Sequence, residues 1–215
     1  LILNNSVTTP EEEFVKKYNN QFGTGEISAQ YINFDQLFAT KLEKIRKYRE
    51  MENYPEINDA LDEVCNESIH NGVDGDVVKL TIRDEEEVPK AKVKQIREVS
   101  DFVINQLFDV NKNGWMYFRK FIIEGELFFE KVLDKPKKKI AAIKLIPSFK
   151  IVPFYKQNLI IGYIHGTLDK DRYTEADIEL DAEQVAYINW GEYVNGDIPD
   201  PKSYLWPVIR TYNQL

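Results

Sequence analysis

The sequence predicts an α+β fold, with a helix-rich first half packed against a mostly antiparallel, strand-rich second half. Three observations predict it. Up to Ile123 the apolar residues recur at steps of three and four. From Glu126 onward the step falls to two. The two patterns follow one another instead of alternating, which separates α+β from βαβ architectures. No internal repeat is present.

Residues 1–33 read as a polar lead-in or N-terminal arm. Its one helical candidate is Thr9-Pro10-Glu11-Glu12-Glu13, an N-cap, a proline and three acids where a helix dipole favours them. Residues 34–125 form the helical part. Phe34, Leu37, Phe38, Leu42, Ile45 and Tyr48 mark a first helix to Met51, whose other faces carry Lys41, Lys44, Arg46, Lys47 and Arg49. Asn53-Tyr54-Pro55 breaks it and starts a second helix, Glu56 to Ile69, with Ile57, Leu61, Val64 and Ser68 on one side. Its wet side is acidic: Asp59, Asp62, Glu63 and Glu67. Val78, Leu80 and Ile82 alternate as a half-buried strand over Asp76–Ile82. Pro89 then opens a third helix, with Val93, Ile96, Val99, Phe102, Val103 and Leu107 in its stripe to about Phe108. Asn113-Gly114 is expected to break the pattern before Trp115–Ile123 resumes it. The strand-rich part, residues 126–202, should hold strands at Leu127–Leu133, Ile140–Ile146, Ile151–Tyr155, Leu159–Leu168 and Ala182–Asn189. Asp134–Lys139 makes a hairpin turn between the first two. Residues 203–215 look like the first turns of a further helix.

The 215 residues are enough for a real core, with a radius of gyration of roughly 17 Å. Lys and Arg number 28 against 36 Asp and Glu, a formal net charge of −8. That acidity argues against a free-standing nucleic-acid binder, which would carry a basic stripe over the phosphates. No apolar run approaches the ~20 residues of a membrane span. The single Cys65 cannot form an intrachain disulfide, which fits a reducing compartment. The first residues, Leu1-Ile-Leu-Asn-Asn, have neither an initiator Met nor a signal-peptide flank and read as the interior of a longer chain.

Motifs that resemble chemistry fail on their missing members. Asp109-Val-Asn111-Lys-Asn113-Gly114 opens like a calcium loop, but Lys120 stands where the bidentate Glu belongs, so a polar helix break is expected instead. Glu67-Ser-Ile-His70 lacks the second copy that a di-metal bundle needs. With two histidines and one cysteine, no standard zinc site can be built without heavy carboxylate use. Cys65 lies beside an apolar stripe, where a free Cys usually serves as a small core hydrophobe. Neither a nucleophile elbow nor a phosphate loop occurs. Asn4-Asn5-Ser6 and Asn66-Glu67-Ser68 match the glycosylation sequon but mean little without a secretory route. The expectation is therefore no catalytic residue, no metal and no cofactor. Two charged features remain. Lys44, Lys47 and Arg49 of the basic helix against Asp59, Asp62 and Glu63 of the acidic one are candidate subunit-interface residues. The turn lysines Lys135, Lys137, Lys138 and Lys139 are a candidate DNA or partner contact, set against the blander reading of a lysine-solubilised hairpin.

Several stretches, in order along Tyr48 to Leu215, resemble the T4-like portal proteins of tailed bacteriophages. They are Tyr48-Arg49-Glu50-Met51 with Tyr54-Pro55-Glu56-Ile57 and Asp62-Glu63-Val64-Cys65-Asn66-Glu67; Phe118-Arg119-Lys120-Phe121 running through Glu124-Gly125-Glu126-Leu127 to Lys131; Lys139-Ile140 with Leu145-Ile146-Pro147 and Ile151; and Ser203-Tyr204-Leu205 with Asn213-Gln214-Leu215. Glu126 stands where that family tends to carry Arg, and nothing before Phe34 matches. The resemblance implies a structural subunit of a dodecameric ring at one vertex of the virion capsid, assembled in the host cytoplasm. Such a ring passes double-stranded DNA without sequence-specific binding. Its partners would be the major capsid protein, the terminase large subunit and the neck and tail connector proteins. The chain would be the N-terminal wing, ending as the stem helix begins. A net-negative chain suits a channel in which DNA must slide. Two other readings stay open: an adaptor that binds a partner through the acidic helix without forming a ring, and a carboxylate-dependent hydrolase or nuclease built on Asp59 or Asp62.

Overall fold

The computed structural model describes residues 34–72, 75–136, 139–156, 159–169, 172–194 and 198–212; the lead-in therefore lies outside the described residues. The helical half begins with α1, Phe34–Glu52, and α2, Pro55–Ser68. Pro55 sits at the first helical position, where its missing N–H costs nothing. The N–H groups of Asn53 and Tyr54 donate back to the carbonyls of Glu50 and Met51, which closes the tight corner between the two helices.

The expected strand at Asp76–Ile82 does not form. Alternation supplies a face but not a ladder, and among the described residues no strand runs beside it. Its backbone is held by the Asn111 side chain and a local turn instead: Val77 N–H donates to Asn111 Oδ1, and Gly72 N–H to the Asp76 carbonyl. Val78 and Leu80 stay 45% and 42% exposed. Helix α3, Lys90–Asp101, continues without a break as a π-helix over Phe102–Leu107. Asp109, at φ 46°, separates it from α4, Val110–Glu124.

That break differs from the expected one. Asn113 and Gly114 lie inside α4, and Gly114 is buried because two helices meet there. A Cβ at Gly114 would stand 3.0 Å from Val110 Cγ1 and 3.7 Å from Ile69 Cγ2. The calcium-like segment is accordingly helical from Val110 onward, and Asn111 spends its side chain on Val77 and Asp76.

Among the described residues eight strands follow, in two three-stranded antiparallel sheets and one two-stranded ribbon. The first sheet has the order β2-β1-β6, with β1 Glu126–Leu133, β2 Ile140–Ile146 and β6 Val185–Asn189. The second has the order β3-β4-β5, with β3 Ile151–Lys156, β4 Leu159–Asp169 and β5 Arg172–Asp181. The ribbon pairs β7, Gly191–Val194, with β8, Ile198–Pro201. Sequence pattern found β1 to β4 and missed β5, β7 and β8. The strand expected from Ala182 begins at Val185, because Asp181 and Gln184 close a capping box over a short 3-10 turn. The lysine-rich connection is a hairpin as expected: Leu133 faces Ile140, and Asp134 and Lys139 bond across it.

Two cores result. Tyr48, Met51, Leu61, Cys65, Ile122 and Ile123 form the helical one, and Leu205 from the C-terminal segment completes it. Phe128, Ile146, Ile151, Tyr163, Leu180 and Val185 form the core of the sheets. After a 3-10 turn at Trp206–Val208, a short α5, Ile209–Tyr212, follows; Asn213 to Leu215 lie outside the described residues.

Candidate functional site

The junction between α4 and β1 is where both cores meet. Gly125 caps α4 at φ 79°, a left-handed conformation that suits glycine. Its N–H donates to the Phe121 carbonyl, and its own carbonyl accepts from Trp190 N–H. A carboxylate stands on either side, and both are buried. Glu124 receives Arg49 Nη2 at 2.7 Å, Lys120 Nζ at 3.0 Å and the hydroxyl of Ser148. Glu126 receives Lys41 Nζ at 2.7 Å and Tyr187 OH at 3.2 Å. Lys41 also donates to the Ile151 carbonyl at 2.6 Å and lies 4.7 Å from the centre of the Phe128 ring. Burial pushes Lys41 below its ordinary value and Glu126 above its own, in each case against the attraction of the other. These charges therefore act as struts holding α1 to the two sheets.

Arg119 performs the same task between the helices. It reaches Glu52 Oε1 at 2.8 Å and Asn58 Oδ1 at 2.6 Å, and its Nε lies 3.1 Å from Asp62 Oδ1. Its guanidinium sits 5.6 Å from the centre of the Trp115 ring.

The candidate interface residues separate into two groups. Arg49 is held by Glu52 and Glu124, Asp62 lies against Arg119, and Lys44 Nζ donates to the Pro201 carbonyl at 2.6 Å. Lys47, Asp59 and Glu63 are exposed. Lys41, read from sequence as lying on an outer face of its helix, instead turns inward, its side chain 15% exposed against 38% for Arg49. Its signal was present in the pair Glu124 and Glu126, two acids in an otherwise apolar stretch that needed cations from elsewhere. At the hairpin, Lys135 and Lys139 are exposed, while Lys137 and Lys138 lie outside the described residues.

Chemistry-bearing residues are scattered. Cys65 is buried in the helical core, and burial pushes its thiol up, away from nucleophilic use. His70 is exposed, with Nδ1 3.1 Å from the Glu67 carbonyl. Among the described residues no cluster of His, Cys, Asp and Glu is arranged to hold a metal, and no helix is long and apolar enough to cross a membrane.

Residues 41–215 match the family described as bacteriophage T4-like portal protein (Gp20). The chain belongs to the T4-like portal family. The portal protein of Vibrio phage KVP40 is 30% identical over 141 residues, which is 64% of this chain and 27% of that protein. The chain thus matches about a quarter of the length of that portal protein. The family match begins at Lys41 and includes Glu124 and Glu126, so the strutted junction lies wholly inside the portal sequence. Inside that matched span Glu126 faces Lys41, with Nζ 2.7 Å from its carboxylate.

Proposed function

We propose that this chain is the wing portion of a portal subunit, a structural protein of the phage virion that assembles as a dodecameric ring at one capsid vertex. DNA enters through that ring during packaging and leaves through it afterwards. The ring seats in the major capsid protein, docks the terminase large subunit, and later docks the neck and tail connector proteins. Catalysis is not part of the role, since the ATP hydrolysis that drives packaging belongs to the terminase. The observation that carries this reading is the family match over residues 41–215. The placement of charge supports it. The cations most deeply placed in the fold brace the subunit against itself, while Lys47, Asp59 and Glu63 remain on the outside, available to a neighbour. In a closing head-to-tail ring the same two surfaces meet at every contact, which suits opposite charges on α1 and α2. Lys135, Lys137, Lys138 and Lys139 are the remaining candidate contact for DNA or an acidic partner.

The test is negative-stain electron microscopy of the complete chain at low salt. Rings with a central hole, viewed down the symmetry axis, are the expected outcome. Single subunits at micromolar concentration would overturn it in favour of an adaptor that uses the acidic helix without a ring.

A further inference from the structure

Helix α3 stands away from both cores. Its π-helical end leans on β2 and α4, while Lys90–Asp101 makes its main contacts with that continuation. Val93 is buried and Arg97 pairs with Glu85 at 2.7 Å, so the helix is held on that side. A separate side is an open groove, and Lys92, Ile96, Val99 and Val103 run along it. The three apolar members of that row are left 44%, 56% and 36% exposed. Gln95 and Ser100 flank them without charge. Among the described residues Lys92 has no ion-pair partner. An apolar row at steps of three and four, headed by a cation, is a seam on which a second helix packs. The occupant must bring apolar residues at those steps and an acid at their head. DNA has no apolar row, and the exposed face of α2 has nothing apolar beyond Ala60.

The lead-in carries the complementary row. Residues 1–33 lie outside the described residues and ahead of the family match, and part of their sequence has the pattern of an amphipathic helix. Thr9 and Pro10 open it, Glu11, Glu12 and Glu13 suit its first turn, and Gly23 follows Phe22 as a stop. Within it Glu11, Val15, Tyr18 and Phe22 succeed one another at steps of four, three and four. Lys92, Ile96, Val99 and Val103 take the same steps. Each row is therefore about 16 Å long at 1.5 Å per residue. Laid parallel, every member of one row meets its counterpart: Glu11 meets the lysine, and Val15, Tyr18 and Phe22 cover the three exposed apolar residues. Phe14 widens the apolar side beside Val15. Laid the other way, Glu11 falls on Val103 and Phe22 on Lys92, so charge selects the direction. The connection from Gly23 to Asn33 reaches at most about 36–40 Å when extended, about the width of a chain this size, so the segment can return to its own copy.

We propose that Pro10–Phe22 forms a helix that docks parallel to α3 in the groove of its own chain, with Glu11 on Lys92 and Val15, Tyr18 and Phe22 over Ile96, Val99 and Val103. Cysteine pairs placed in the complete chain test it, read after mild oxidation by mass spectrometry of the joined peptides. Cys65 is buried in the helical core and does not compete. F22C/V103C is expected to link within one copy in most molecules. F22C/K92C, which only the reversed direction brings together, should link about tenfold less. E11K and K92E should each weaken the F22C/V103C link, and their combination should restore it. Hydrogen exchange gives a second reading. Y18E/F22E should speed exchange of the α3 amides over Ile96–Val103 about tenfold or more and leave those of α4 unchanged. A dominant F22C/K92C link overturns the parallel register. A link that joins two copies overturns docking within one chain in favour of exchange between copies. No link in either register, with α3 exchange indifferent to Y18E/F22E, overturns the docking altogether. The ring reading stands or falls separately, since none of these measurements depends on assembly.

Discussion

Gly125 and the Lys41–Glu126 pair show how much single residues decide at the α4–β1 junction. A Cβ at Gly125 would lie 2.6 Å from the Lys202 carbonyl oxygen, and the backbone is already left-handed. Gly125→Ala should therefore cost about 2 kcal/mol or more in urea unfolding. Gly75→Ala, at φ 86° but with open space around it, should cost only about 1 kcal/mol. Lys41→Met leaves a buried carboxylate without its cation, and Glu126→Leu a buried ammonium without its carboxylate; each should lose about 3–5 kcal/mol, and the double variant should recover most of it. Titration of the pair follows from its burial. Compared with the double variant, the parent loses stability as pH rises from 4.5 through the raised value of Glu126, because the native state still holds a proton that the unfolded chain has released. It regains stability as pH rises through the lowered value of Lys41 towards 10.5, where the unfolded chain binds the extra proton. Unfolding midpoints measured across pH check both slopes. The glycine was legible in sequence as part of a helix-to-strand junction. The lysine was not, because 85 residues of chain separate it from the acid it meets and no local period records that distance.

At the level of elements, the helices and the first four strands could be read because each satisfies its own period. Val93, with Ile96 and Val99 after it, repeats whether or not anything covers the repeat. What failed was whatever depended on a partner. Asp76–Ile82 alternates but has no strand beside it among the described residues, and β5, β7 and β8 exist through pairing rather than pattern. Gly114 looked like punctuation and is a contact, since a turn and a close helix approach both ask for the same missing side chain. Arg119 is the element-scale counterpart: one guanidinium binds α1, α2 and α4. Arg119→Lys keeps the charge but not the fork, and should cost about 1–2 kcal/mol in denaturant unfolding. A loss no larger than the few tenths typical of surface positions would mean that packing alone fixes the three helices. For the candidate site the sequence showed which charges exist but not which are already used. Arg49 and Asp62 look as available as Lys47 and Glu63 until the partners on α4 are seen.

For the whole molecule, that division separates stability from assembly. Asp62→Lys should lower the unfolding midpoint, because it sets a cation against Arg119. Glu63→Lys should leave stability within about 0.5 kcal/mol and act on the association of copies, more strongly at low salt than at high. Calorimetry beside sedimentation separates the two effects, and equal unfolding losses in both variants would argue against the division. The order in which the chain is made carries a further consequence. Ser203 Oγ and Tyr204 N–H both donate to the Ile122 carbonyl, 81 residues behind Ser203, and Leu205 fills the helical core beside them. A ribosome adds about 5–20 residues per second, so α4 waits about 4–16 s before its last neighbour exists. During that interval the greasy underside of Ile122 and Phe121 is open to the cell, and a nascent chain of this kind gives a chaperone something to hold.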